Sequence, residues 1–191
     1  MASFSSIPHS ILLTHSVLVE APAMSVFHLL LNLDRCYLDL STGHRKFDIL
    51  NGGPLKVNST ILCEEVAGNQ EVFHTYVVEQ LIENQLLYYV SKPSISYVNG
   101  QRKRPIKSTT YVQFELDAIA ATQTRVRATI VIQFSSGVTK FLAQLTGTRK
   151  LWQAHVREET DNLKKVVERS FRQPAGCRKP VLVNPASAGT I

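Results

Sequence analysis

Along LWQAHVREETDNL, His155 and Glu159 stand four residues apart, a spacing that puts both side chains on one face of a helix, one turn from each other. An imidazole and a carboxylate so placed can ligate one metal ion; on a solvated helix they are an ordinary surface pair. Trp152 lies one turn earlier on the same side and Asn162 one turn later, and the apolar Leu151, Val156 and Val166 nearby turn that side toward a core. His44 follows the Ser41-Thr42-Gly43 break at the entry to a strand, a rim from which a side chain reaches into a cavity. Glu64 and Glu65 interrupt the apolar run STILCEEV, and because neighbouring strand residues face opposite ways, one of the two faces inward. If Gly68-Asn69 is a two-residue hairpin, Glu65 pairs with Val72 and Cys63 with His74, which sets Glu65, His74 and Tyr76 on one face. An inward carboxylate requires a proton or a cation to offset its desolvation, and a metal ion is such a cation.

The elements that must carry these groups follow from the periodicity of apolar residues. A β-rich run from Leu12 to Glu20 feeds Ala21-Pro22-Ala23, where proline suits the first turn of a helix. Met24, Phe27, Leu30, Leu31 and Leu38 then recur at helical spacing, enough for one bent helix or two short ones. Six β-like runs come next: His44 to Leu50, Ser59 to Val66, Glu71 to Glu79, Leu86 to Ser91, Ser108 to Leu116 and Thr124 to Phe134. Asn51-Gly52-Gly53-Pro54, Gly68-Asn69 and Asn84 punctuate them as the turns of an antiparallel meander. In the last run Val126, Ala128, Ile130, Ile132 and Phe134 share one face, and Arg125, Arg127, Thr129 and Gln133 the other. From Val138 to Phe171 the period turns helical, with Phe141, Leu142, Leu145, Trp152, Val156, Leu163 and Val167 in an apolar stripe interrupted near Gly147.

A length of 191 residues suits one domain. Charged residues make up 19% of the chain, below the roughly 25% of an average globular protein, which excludes a disordered, collagen-like or coiled-coil chain. The formal net charge of +6 permits an anionic partner without selecting one. Cys36, Cys63 and Cys177 are odd in number and widely spaced, so they support neither a disulfide framework nor a four-cysteine zinc site, and they fit a reducing compartment. With no basic region ahead of a signal-like apolar run and no stretch of ~18 apolar residues, a cytoplasmic protein without stable membrane insertion is the expectation.

A strand, a helical pair, further antiparallel strands and one long C-terminal helix form an α+β order, economically arranged as a curved sheet wrapped around the long helix. In this order the chain resembles the helix-grip fold of the START and birch-pollen-allergen superfamily, also called SRPBCC, across residues 12–170. The resemblance implies a ligand cavity between sheet and helix, and a division into an N-terminal extension (1–11), a helix-grip domain (12–171) and a flexible tail (172–191). Within that superfamily, a Tyr followed by a His, a Glu on the next strand before a Gly turn, and H-x-x-x-E on the last helix are similar to the zinc site of the diacetylphloroglucinol hydrolase family. That second resemblance implies four zinc ligands, His44, Glu65, His155 and Glu159, with Tyr37 orienting the substrate. It also implies hydrolysis of a carbon–carbon bond between an acyl group and a phenolic ring. Zinc would lower the pKa of a water toward ~7 and polarise a ketone, and the mixed ligand set also suits manganese or iron(II). His74 or Tyr76 could protonate the leaving carbon, and Tyr37 or Tyr111 could hold phenolic oxygens; core packing is the other role open to each.

Two further readings stand beside the zinc hydrolase. One is a metal-free polyketide cyclase, or a binding protein for lipid or another small hydrophobic or phenolic ligand, using the same cavity. The other is an interaction module docking through the tail and the basic segment Gly100-Gln101-Arg102-Lys103-Arg104-Pro105-Ile106-Lys107. That segment lacks the interleaved aromatics of a single-strand nucleic-acid surface, and no phosphate loop, nucleophile elbow or dinucleotide fingerprint occurs, so no nucleic-acid partner is expected. Nothing in the sequence selects a monomer over a homodimer.

Overall fold

The computed structural model describes residues 4, 7–91, 95–98, 101–102 and 108–172. The chain starts with β1 (Ser10–Val19) and α1 (Ala23–Leu31), passes through a short 3-10 turn (Leu33–Arg35), and reaches α2 (Tyr37–Leu40). Next come β2 (His44–Ile49), β3 (Thr60–Ala67), β4 (Gln70–Ile82) and β5 (Leu86–Ser91). The short strands β6 (Ile95–Val98) and β7 (Gln101–Arg102) follow, then β8 (Ser108–Ala120) and β9 (Gln123–Phe134). Two helices close the described chain, α3 (Gly137–Leu145) and α4 (Thr148–Arg172).

The strands form one curved antiparallel sheet in the order β1-β9-β8-β5-β4-β3-β2, with β6 pairing to β4 and β7 to β6. β1 pairs with β9, closing the sheet over the greatest sequence distance among the described strands: Leu13 stands opposite Ile130 and Val17 opposite Val126. The α+β helix-grip architecture expected from element order is the one observed, with α4 against β1, β9 and β3. Gly68 supplies the positive φ (+59°) that the tight β3–β4 turn requires. The strands missed in the sequence are β6 and β7, too short to show a period, the second of them set in the segment read as a basic loop. Of that segment's residues only Gln101 and Arg102 are described, and the tail beyond Arg172 likewise lies outside the described residues.

Burial corrects the apolar stripes in three places. Met24 and Leu38 are exposed, while Val26, Phe27, Leu30, Leu33, Tyr37 and Leu40 carry the helical side of the core. Gly147, at φ +74°, separates α3 from α4, so the terminal stripe belongs to two helices. Phe141, Leu142 and Leu145 on α3 are exposed, whereas Trp152, Val156, Leu163 and Val167 on α4 are buried. On β9 the inward alternation holds through Ala128, beyond which Thr129 and Val131 on the opposite face are buried while Ile130 and Ile132 are only partly so. Tyr111 stands across from Val131, and the Phe4 ring lies 6.5 Å from that of Tyr111, which covers this end of the outer face.

Leu163, almost without solvent contact, anchors α4 in the core. Leu163→Ala is expected to cost about 2–5 kcal/mol of stability, the range for a buried leucine whose surroundings relax only in part. Chemical denaturation measures it, and a loss below about 0.5 kcal/mol would show that α4 is not held by this contact.

Candidate functional site

The β3–β4 register is the one the hairpin spacing predicts: Glu65 opposite Val72, Cys63 opposite His74, Ile61 opposite Tyr76. Period-two alternation therefore buries Ile61, Cys63, Glu65 and Ala67 on the concave face together with Val72, His74, Tyr76 and Val78. Of the adjacent pair, Glu65 is the buried carboxylate and Glu64 is half-buried on the other face. On the far side of β3, His44 stands directly opposite Glu65, with a register irregularity immediately after it. The His44 Nε2 atom lies 4.0 Å from Glu65 Oε1.

α4 supplies the opposing wall. Thr148, Trp152, His155, Glu159 and Leu163 form its buried line at helical spacing, so the His155–Glu159 pair faces the sheet and not solvent. Donor atoms of His44, His155 and Glu159 all lie within 4.8 Å of one another, and all three side chains are buried. The His44 and His155 rings meet edge to face with centroids 5.0 Å apart, and the Trp152 indole stands 5.2 Å from His155. Trp152 Nε1 donates to Gln70 Oε1 at 3.1 Å, tying this turn of α4 to the β3–β4 hairpin.

Hydrogen bonds fix how the rings present themselves. His44 Nδ1 is 2.6 Å from the Tyr37 carbonyl, which can only accept, so the proton sits on Nδ1. The Tyr37 ring stacks on that of His44, centroids 3.7 Å apart. What remains is Nε2, and the Nε2 atoms of both His44 and His155 are buried without a hydrogen-bond partner. Two unpartnered imidazole nitrogens beside two buried carboxylates are a costly arrangement in an apolar core, and a shared cation between them would remove the cost. The grouped donors, the imidazoles of His44 and His155 and the carboxylate of Glu159, are of types that zinc, manganese and iron(II) all accept.

The two carboxylates are driven apart electrostatically. Burial alone would raise the pKa of Glu65, but the imidazoles of His155, His74 and His44 and the Tyr37 hydroxyl outweigh it and bring it down to about 2. That hydroxyl donates directly to Glu65 Oε1, and the Cys63 thiol donates to the same oxygen at 3.4 Å. Glu159 is pushed up to about 8, first by burial and then by the charge of Glu65. Burial lowers the pKa of His44 and His74. Tyr76 and Tyr89, buried with ring centroids 4.9 Å apart beyond His74, are raised well above the usual phenol value by burial and the nearby carboxylates.

Of the residues singled out in the sequence, His44, His155 and Glu159 bring their donor atoms together, and Glu65 lies beside His44. The Tyr37 hydroxyl, expected to orient a substrate, is held by Glu65. His74 and Tyr76 line the same face, stacked with centroids 4.9 Å apart. Tyr111 lies elsewhere, donating to Gln133 at 2.8 Å. Sequence reasoning did not find Cys63 or Tyr89 in the cluster, nor Gly43 as its wall. A Cβ on Gly43 would come within 2.2 Å of the Val66 carbonyl and 3.2 Å of the His155 ring, so only glycine permits this approach. A cleft of about 320 Å³ opens on the outer side of the cluster, with Gly43, Arg45, Gly68, Leu151, His155 and Glu158 among its walls.

Neither a known family model nor a curated protein sequence matches the chain. Solved structures do match in fold. The aromatase/cyclase Zhui from a Streptomyces species superposes with a TM-score of 0.66 at 15% identity, over 88% of this chain and 99% of that one. A START superfamily protein from Mycobacterium smegmatis gives 0.60 at 14% identity, over 83% and 97%. The ginseng major latex-like protein 151 from Panax ginseng gives 0.53 at 12% identity, over 76% and 97%. The fold is thus that of the START-like helix-grip proteins, and none of these likenesses points to zinc. No helix among the described residues is long and apolar enough to cross a membrane.

Glu159 generates a pH prediction for chelator-treated protein. Its pKa rises from the ordinary 4.5 to about 8 on folding, so the stability it contributes is complete below pH 4.5 and is lost as pH rises through about 8. Glu159→Gln should abolish this dependence, so that the variant gains on the wild type by up to about 1.4 kcal/mol per pH unit across the window. Parallel denaturation curves from about pH 5 to about pH 8 test it; identical slopes for the two proteins would show that Glu159 does not carry a buried proton.

Proposed function

We propose that this protein takes a small, polyketide-like or phenolic ketone against the buried His–Glu–Tyr cluster of a helix-grip fold, and binds or cyclises it there without a metal. The carrying observation is the pairing of one acid with free bases on an apolar concave face. Glu159, with its pKa near 8, holds a proton at neutral pH. His44 Nε2 and His155 Nε2 turn unshared, buried nitrogens toward it. An acid and a base on either side of a ketone are what enolisation, aldol closure and dehydration require: the imidazole takes a carbon-bound proton and the carboxylic acid donates one to the carbonyl oxygen. Tyr76 and Tyr89 supply aromatic surface and hydroxyls for phenolic oxygens. The fold-level likeness to an aromatase/cyclase supports the same substrate class.

A second reading rests on a specific observation, the two partnerless Nε2 atoms. In it His44, Glu65, His155 and Glu159 hold a divalent ion, zinc by preference, and the protein hydrolyses a carbon–carbon bond of an acyl-phenol. Bound zinc would supply an acidified water and a polarised carbonyl. The chain's own residues would do the rest. Glu159 would give up its proton on metal binding, Tyr37 and Cys63 would keep Glu65 ionised and oriented, and His74 or Tyr76 would deliver a proton to the leaving carbon. The two readings divide on whether Glu159 keeps its proton.

Trp152, the single tryptophan, stands close enough to His155 to report on ligand entry. Titration with hydroxylated aryl ketones is expected to change its fluorescence saturably, and Tyr76→Phe to weaken binding about tenfold, the worth of one hydrogen bond. No saturable change with any such ketone would remove the ligand-cavity reading. Elemental mass spectrometry of untagged protein separates the chemistries. Near-stoichiometric zinc, lost in both His155→Ala and Glu159→Ala, would establish the metal site and call for an assay of acyl-phenol cleavage; no metal after incubation with zinc would leave the metal-free reading.

A further inference from the structure

His155 differs from His44 in how its ring is held. The Ser41 hydroxyl donates to Glu158 Oε2 at 3.0 Å, and a carboxylate can only accept. A hydroxyl has one proton, so its oxygen faces His155 Nδ1, 3.3 Å away, as an acceptor. Glu158 is itself fixed by the Thr42 amide at 3.0 Å and the Thr42 hydroxyl at 3.1 Å, and these bonds, with that from Ser41, hold its carboxyl below the usual range. Gly43 brings the segment close enough for the contact, its amide donating back to Ser41 Oγ at 3.1 Å.

We propose that Ser41 and Glu158 are positioning residues that lock His155 as the Nδ1-protonated tautomer, so that its bare Nε2 is presented to the cluster. The inference rests on His155 being a working group of that cluster, as base or as metal ligand. A purely structural role for Glu158, capping the Thr42 turn, would leave the tautomer unaffected by its removal. An imidazole freed of such a partner prefers the proton on the other nitrogen, so the lock has a direct spectroscopic signature. Glu158 lies toward solvent, where substitution leaves the core untouched.

Long-range ¹H–¹⁵N correlation spectra of chelator-treated protein read the tautomer of each histidine. In wild type, His155 is expected to show a protonated Nδ1 and an unprotonated Nε2. Glu158→Ala and Ser41→Ala are both expected to lose this state for His155 while His44, held by a backbone carbonyl, keeps it; the His44 signal also reports that each variant is folded. An Nε2-protonated His155 in wild type, or an unchanged tautomer in Glu158→Ala with His44 intact, overturns the inference. The spectra need neither ligand nor metal, so a failed ketone titration would count against the proposed function and leave this result standing.

Discussion

One buried negative charge organises this molecule. Glu65 sits on the concave face of a sheet whose other inward positions on that strand are Ile61, Cys63 and Ala67, and an ionised carboxylate there is tenable only if its lone pairs are occupied. The Tyr37 hydroxyl and the Cys63 thiol occupy them. To bring Tyr37 there, the chain between α1 and β2 must fold into the short α2, and that in turn sets the Tyr37 carbonyl over His44. The same charge adds to burial in holding the proton on Glu159 across the cluster. Tyr37 and Cys63 satisfy Glu65, and the same placement of Tyr37 orients His44.

Much of this was legible in the sequence, for identifiable reasons. The order of elements showed because strand and helix periods differ, and the concave placement of Glu65 followed from counting outward from Gly68-Asn69. The i, i+4 pair on α4 was visible as a motif, and its inward orientation could be argued from Trp152 and Val156. The partners of the cluster were harder to read. Cys63 shares Glu65's face by strand alternation but looks like an ordinary core residue, and the placement of Tyr89 depends on strand pairing that no local pattern encodes. Ser41 and Glu158 are 117 residues apart, and neither type is unusual where it stands. The exposed α3 stripe misled because amphipathic spacing says that a helix has an apolar face, and not what covers it.

The contrast between fold and chemistry is sharp here. Helix-grip neighbours at 15% identity or below reproduce the sheet and the long helix, which depend on apolar pattern and tolerate wide substitution. The polar cluster depends on individual atoms. Burying three histidines, two glutamates and three tyrosines on this face costs stability that an apolar core would not.

The cluster is also divided between distant parts of the chain: residues 37–65 provide one half and residues 155–159 the other. Between them lie most of the strands of the sheet. α4 comes last among the described elements, so Glu65 is covered only when that helix packs on the sheet. Docking of α4 is the step that dehydrates it, and the helix carries the neutral acid and the second imidazole in the same movement. Closure of the core and assembly of the cluster therefore depend on the same helix.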